Sequence, residues 1–74
     1  MIGIVTRIIK KKMFGFIKGE DSNDYFFHKM DFTGFYSDLE SDVESGRKIK
    51  VEFEVVPSDK GLRAGDVRRL DEGV

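Results

Sequence analysis

Phe14-Gly15-Phe16-Ile17-Lys18 and Asp24-Tyr25-Phe26-Phe27-His28, separated by Gly19-Glu20-Asp21-Ser22-Asn23, decide how this chain folds. The outer segments are short and rich in residues that suit a pleated strand, while the connecting segment consists of turn formers. Residues 13–18 and 24–28 therefore read as a β-hairpin. Side chains alternate across a strand, so Phe14 and Phe16 share one face and Gly15 and Ile17 the other. In the next strand Phe26 and His28 share a face, with Tyr25 and Phe27 opposite.

Working outward, residues 2–9 form a β-branched first strand that ends at the basic turn Lys10-Lys11-Lys12. Further on, Ile49, Val51, Phe53 and Val55 alternate with Lys50, Glu52 and Glu54, giving a fourth strand with one buried and one wet face. Pro57 is expected to end it. Ser58-Asp59-Lys60-Gly61 then turns into a fifth strand, residues 62–70, which carries Ala64 and Val67. Residues 29–46 mix acids, Ser and Gly with Phe32, Phe35, Tyr36 and Leu39, and read as a long loop with one short helical turn. Five short antiparallel strands in so small a chain point to an all-β barrel, because closure hides the edges of an open sheet.

The chain has 74 residues, enough for one domain with a single core. That domain is expected over residues 1–70, followed by a short tail, 71–74, which would lead into any longer chain. There is no cysteine, so neither disulfides nor thiolate metal sites can staple the core. No apolar run approaches the roughly 20 residues that cross a bilayer, and residues 1–7 lack the order of a signal peptide. A cytoplasmic, monomeric protein is expected.

The net charge of −1 hides a strong asymmetry. Arg7, Lys10, Lys11, Lys12 and Lys18 precede residue 19 with no acid among them. Between residues 20 and 44, Glu20, Asp21, Asp24, Asp31, Asp38, Glu40, Asp42 and Glu44 outweigh a single Lys29. The aromatic hairpin thus follows a basic turn.

Both hairpin strands are apolar on two faces, and a barrel interior uses only one. If Phe14, Phe16, Phe26 and His28 face outward, they offer π-surfaces beside cations. Unpaired nucleobases stack on such rings for about 1–3 kcal/mol each while Lys and Arg neutralise phosphates. A second reading has the alternation in the opposite phase, with Phe14, Phe16 and Phe26 in the core. The sole histidine has no cysteine partner and no metal-ligand spacing, so no enzyme, cofactor or metal is expected.

At these residues the sequence resembles the cold-shock domain, the oligonucleotide-binding (OB-fold) barrel of bacterial cold-shock proteins. Lys12-Met13-Phe14-Gly15-Phe16-Ile17 is similar to the first family motif, and Asp24-Tyr25-Phe26-Phe27-His28 to the second. The resemblance continues through Gly3-Ile4-Val5, the strand at Val51, Lys60-Gly61, Ala64 and Val67. It implies that Phe14, Phe16, Phe26 and His28 are an exposed stacking platform, with Phe35 a further loop aromatic and Lys12 a phosphate or base contact.

The departures bear on strength. Arg7 stands where the family usually has a stacking Trp, and the chain has no tryptophan. Ile8, Ile9 and Lys29 replace usual Phe, Asn and Phe, and Met13 replaces glycine. Leu62-Arg63 replaces Pro-Gln, and Arg63 offers a phosphate contact. Arg7 can stack its guanidinium and pair with phosphate. The resemblance implies single-stranded RNA or DNA binding, with RNA-chaperone or regulatory activity. The competing reading is a protein-interaction or structural barrel that kept the fold with a weakened nucleic-acid surface.

Overall fold

The computed structural model describes residues 1–59 and 61–70. The expected turn at Lys60 and the expected tail at residues 71–74 lie outside the described residues. Among the described residues six strands form, namely β1 (Ile2–Ile9), β2 (Phe14–Gly19), β3 (Asp24–His28), β4 (Phe32–Thr33), β5 (Ile49–Ser58) and β6 (Gly61–Arg69). The nine-residue helix α1 spans Tyr36–Glu44.

The strand order β3-β2-β1-β5-β6 closes on itself through a β3–β6 pairing, which gives the five-stranded barrel expected from the sequence. The four pairings around the ring are antiparallel, and the seam, Phe26 against Arg63, is parallel. Short β4 adds, also in parallel, to the same edge of β6 as β3, opposite β5.

Inside lie Val5, Ile17, Tyr25, Phe27, Ile49, Val51, Phe53, Ala64 and Val67, joined by Phe32, Tyr36 and Leu39 from the β3–β5 connection. The hairpin alternation is in the phase that puts Ile17, Tyr25 and Phe27 inside. Phe14, Phe16 and Phe26 are absent from this core and only half-buried. Gly15 faces inward because it must: a Cβ there would stand 2.9 Å from the Phe27 ring and 2.9 Å from the Arg7 carbonyl oxygen. The ring of β3 occupies the space a side chain on β2 would need.

Three expectations are corrected. Residues 29–46 hold more than one helical turn: a 3₁₀ turn at Lys29–Asp31, then β4, then α1. Tyr36 and Leu39 bury one stripe of α1, and Val43 packs partly against the core. Their spacing is helical. Asp42 pairs with Arg69 at 2.9 Å, fastening the helix to β6.

Pro57 does not end β5, which runs on to Ser58 paired with Gly61. That stretch has β6 on one side and no β1 beyond Glu52 on the other, so the missing proline N–H leaves no ladder bond broken. Val55 is not buried but 42% exposed, because β5 shifts register between Glu52 and Glu54 and its tip leaves the shelter of β1. The matching irregularity on β6 is Asp66, with φ 48°. It sits between Ala64 and Val67, which allows both to point inward although they are three residues apart.

Candidate nucleic-acid interface

The ladder register draws a single row across the outer face of four strands. Arg7 of β1 lies opposite Phe16 of β2, Phe16 opposite Phe26 of β3, and Phe26 opposite Arg63 of β6. Beside it runs a second row, Ile9, Phe14 and His28. Phe14 and Phe16 meet edge to face, with ring centroids 5.5 Å apart and planes at 78°. The three phenylalanines are half-buried by their neighbours, and His28 is exposed.

Arg7 reaches this face through a β-bulge. The β1–β2 register shifts between Val5 and Arg7, so Thr6 and Arg7 together oppose Phe16. Without the extra residue Arg7 would alternate into the interior. The Thr6 hydroxyl donates to the Phe16 carbonyl at 3.3 Å, and Thr6, Arg7, Phe16 and Asp24 line a groove of about 300 Å³. The bulge had one sequence signal: Val5 is buried and Ile8 packs on the core, a spacing of three that strict alternation forbids.

His28 is oriented by its own backbone surroundings. Its Nδ1 accepts the Met30 N–H at 3.2 Å, and its backbone N–H donates to Asp31 Oδ2 at 3.0 Å. With Nδ1 accepting, the neutral ring carries its proton on Nε2 as a donor.

Asp31, which the sequence did not single out, is the hub of this corner. Arg63 donates Nε to Asp31 Oδ2 at 3.1 Å and Nη2 to Oδ1 at 2.8 Å, a fork on a carboxylate only 14% exposed. Burial, the largest influence, pushes the Asp31 carboxyl up, yet Arg63 and the His28 N–H together hold it below the ordinary carboxylate value. The same hydrogen bond pushes Arg63 up. The guanidinium expected to meet phosphate is therefore already shared with a carboxylate.

Lys12 lies with Lys10 and Lys11 in an exposed 3₁₀ turn joining β1 to β2. Lys10 pairs with Glu44 of α1 at 2.5 Å, and that bond holds its ammonium above the ordinary lysine value. Among the described residues, Arg7, Lys11 and Lys12 make no ion pair. Phe35 belongs to neither row of ladder partners; it immediately precedes α1 and is 79% exposed. No group of metal-ligating side chains occurs among the described residues, and no helix there is long and apolar enough to cross a membrane.

An outward aromatic row flanked by guanidinium groups, carried on a closed five-stranded barrel, is the arrangement of a nucleic-acid-binding β-barrel. The sequence matches the 'Cold-shock' DNA-binding domain over residues 1–70, and the chain belongs to that family, whose members bind nucleic acid and are not enzymes. It is 40% identical over 68 residues to cold shock protein CspA of Staphylococcus haemolyticus (strain JCSC1435), covering 92% of this chain and 96% of that protein. It is 42% identical over 71 residues to a cold shock-like protein of Aquifex aeolicus (strain VF5), covering 95% and 94%.

Proposed function

We propose that this domain holds single-stranded RNA or DNA against the Phe14, Phe16, Phe26 and His28 face and, by keeping strands unpaired, acts as an RNA chaperone. The row Arg7, Phe16, Phe26, Arg63 carries this reading, because it sets two stackable rings between two cations. Duplexes hide the base faces that such rings require, so unpaired strands are the ligand that fits. Stacking is tolerant of sequence, whereas phosphate contacts by Arg7, Lys11 and Lys12 supply a salt-dependent share. With Lys10 and Arg63 engaged by carboxylates, that share rests on fewer free cations than the sequence offers.

Titration of a labelled oligonucleotide at several salt concentrations tests the reading. Log affinity should fall linearly with log salt, by about 0.7 for each phosphate neutralised. Phe16→Ala and Phe26→Ala should each weaken binding by about 1–3 kcal/mol while leaving the domain folded. A flat salt response with unchanged affinity in both variants rejects it. The acidic exposed side of α1, with Asp38 and Glu44, supports the second reading, a protein-docking barrel. Under that reading oligonucleotides shift none of the platform's NMR signals even at high concentration.

A further inference from the structure

The β2–β3 ladder ends at the Phe14 and His28 pair. Immediately beyond it the chain turns on both sides, at Met13 before β2 and at Lys29–Asp31 after β3. The Lys29 N–H donates to the Met13 carbonyl at 2.8 Å and ties the two turns together. Each turn presents a methionine: Met13 is 48% exposed and Met30 87%. Lys11, Lys12 and Lys29 belong to the same two turns and are exposed.

Met13 is also held at φ 55°, ψ 40°, a left-handed conformation that favours glycine. Its exposed side chain gains little core packing to offset that strain. Strained, non-glycine backbone of this kind gathers at ligand-binding positions. Met30 is coupled to the platform directly, since its N–H orients the His28 ring. Thioethers contact the faces and edges of aromatic rings favourably, and the flexible methionine chain adapts to either.

Building on the single-strand reading above, we propose that Met13 and Met30 form a thioether lip that receives one further nucleobase of the same strand beyond His28, with Lys12 and Lys29 beside its phosphate. The lip shifts the footprint of the bound strand toward the β2 start and away from β1, where Arg7 stands in place of a large ring.

The chain has only three methionines, and Met1 lies at the other end of β2, beside Gly19. Methyl-¹³C methionine labelling therefore gives two reporters and an internal reference. On titration with oligothymidylates from about four to sixteen nucleotides, the Met13 and Met30 methyl signals should move upfield under the base ring current while Met1 stays. Met30→Ala, which keeps the backbone N–H on His28, should weaken binding of the longer oligonucleotides about two- to tenfold and leave the shortest unchanged. If the Phe16 and Phe26 ring signals move but Met13 and Met30 do not, or all three methionines move alike, the lip is wrong and single-strand binding survives. If no ring signal moves, both fail.

Discussion

Phe26 of β3 stands opposite Arg63 of β6 in the parallel pairing that closes the barrel, so the last ring of the aromatic row and the seam of the fold are the same place. The Arg63 side chain turns to Asp31, whose other bond caps the turn after His28. One carboxylate thereby links the seam, the turn and the orientation of the histidine.

The Asp31 carboxyl is held below its ordinary value of 3.8, so the folded protein binds that proton less readily than the unfolded chain. The stability it contributes is fully present above about pH 4 and is lost as pH falls through the lower folded value. Thermal melts between about pH 6 and about pH 2 should show this loss, and Asp31→Asn should reduce it. Asp21, lowered by the Tyr25 hydroxyl bond, retains a part of the acid response. Freed from Asp31, Arg63 should steepen the salt dependence of oligonucleotide binding by up to about 0.7 in slope.

Adjacent residues of β3 should separate binding from folding. Phe27 is fully buried and touches Phe32 and Tyr36, so Phe27→Ala should cost about 3–5 kcal/mol and unfold much of the population. Phe26→Ala should lose affinity with a far smaller change in denaturation midpoint. Equal destabilisation by the two would mean that the outer ring is structural.

Met13→Gly should relieve the left-handed strain. A gain of up to about 1 kcal/mol in urea unfolding is expected, part of the relief being offset by the greater freedom of glycine in the unfolded chain. The same change should weaken binding of longer oligonucleotides, trading affinity for stability.

Glu44→Gln should release Lys10 from α1. Since both side chains are more than half exposed, stability should change little. Affinity for single strands should rise severalfold at low salt, and the gain should vanish as salt screens the freed charge.

Much of this was legible before the structure. Two-sided apolarity at residues 14–17 and 25–28, set against the one-sided strand at Ile49, Val51 and Phe53, located both the core and the outward aromatic face. The bulge at Thr6 was not legible, because a bulge is fixed by the partner strand's register and only the Val5 to Ile8 spacing hints at it. From sequence, residues 29–46 show only one short helical turn where α1 forms, since its apolar stripe of Tyr36, Leu39 and Val43 is brief and Phe35 gives it no side-chain cap. The Arg63 to Asp31 fork joins residues distant in sequence that only the closed seam brings together, so Arg63 read as a free cation.

The parallel seam also orders the assembly of the molecule. β1 with β2, β2 with β3, and β5 with β6 are neighbours in sequence and can pair as hairpins within microseconds, whereas β1 can meet β5, and β3 can meet β6, only after the intervening chain has been looped back. These two long-range pairings, the seam included, should thus form late in folding, giving refolding in the millisecond-to-second range typical of non-local β topologies. Asp31→Asn should then accelerate unfolding more than it slows refolding in stopped-flow traces, since its bond forms after the transition state.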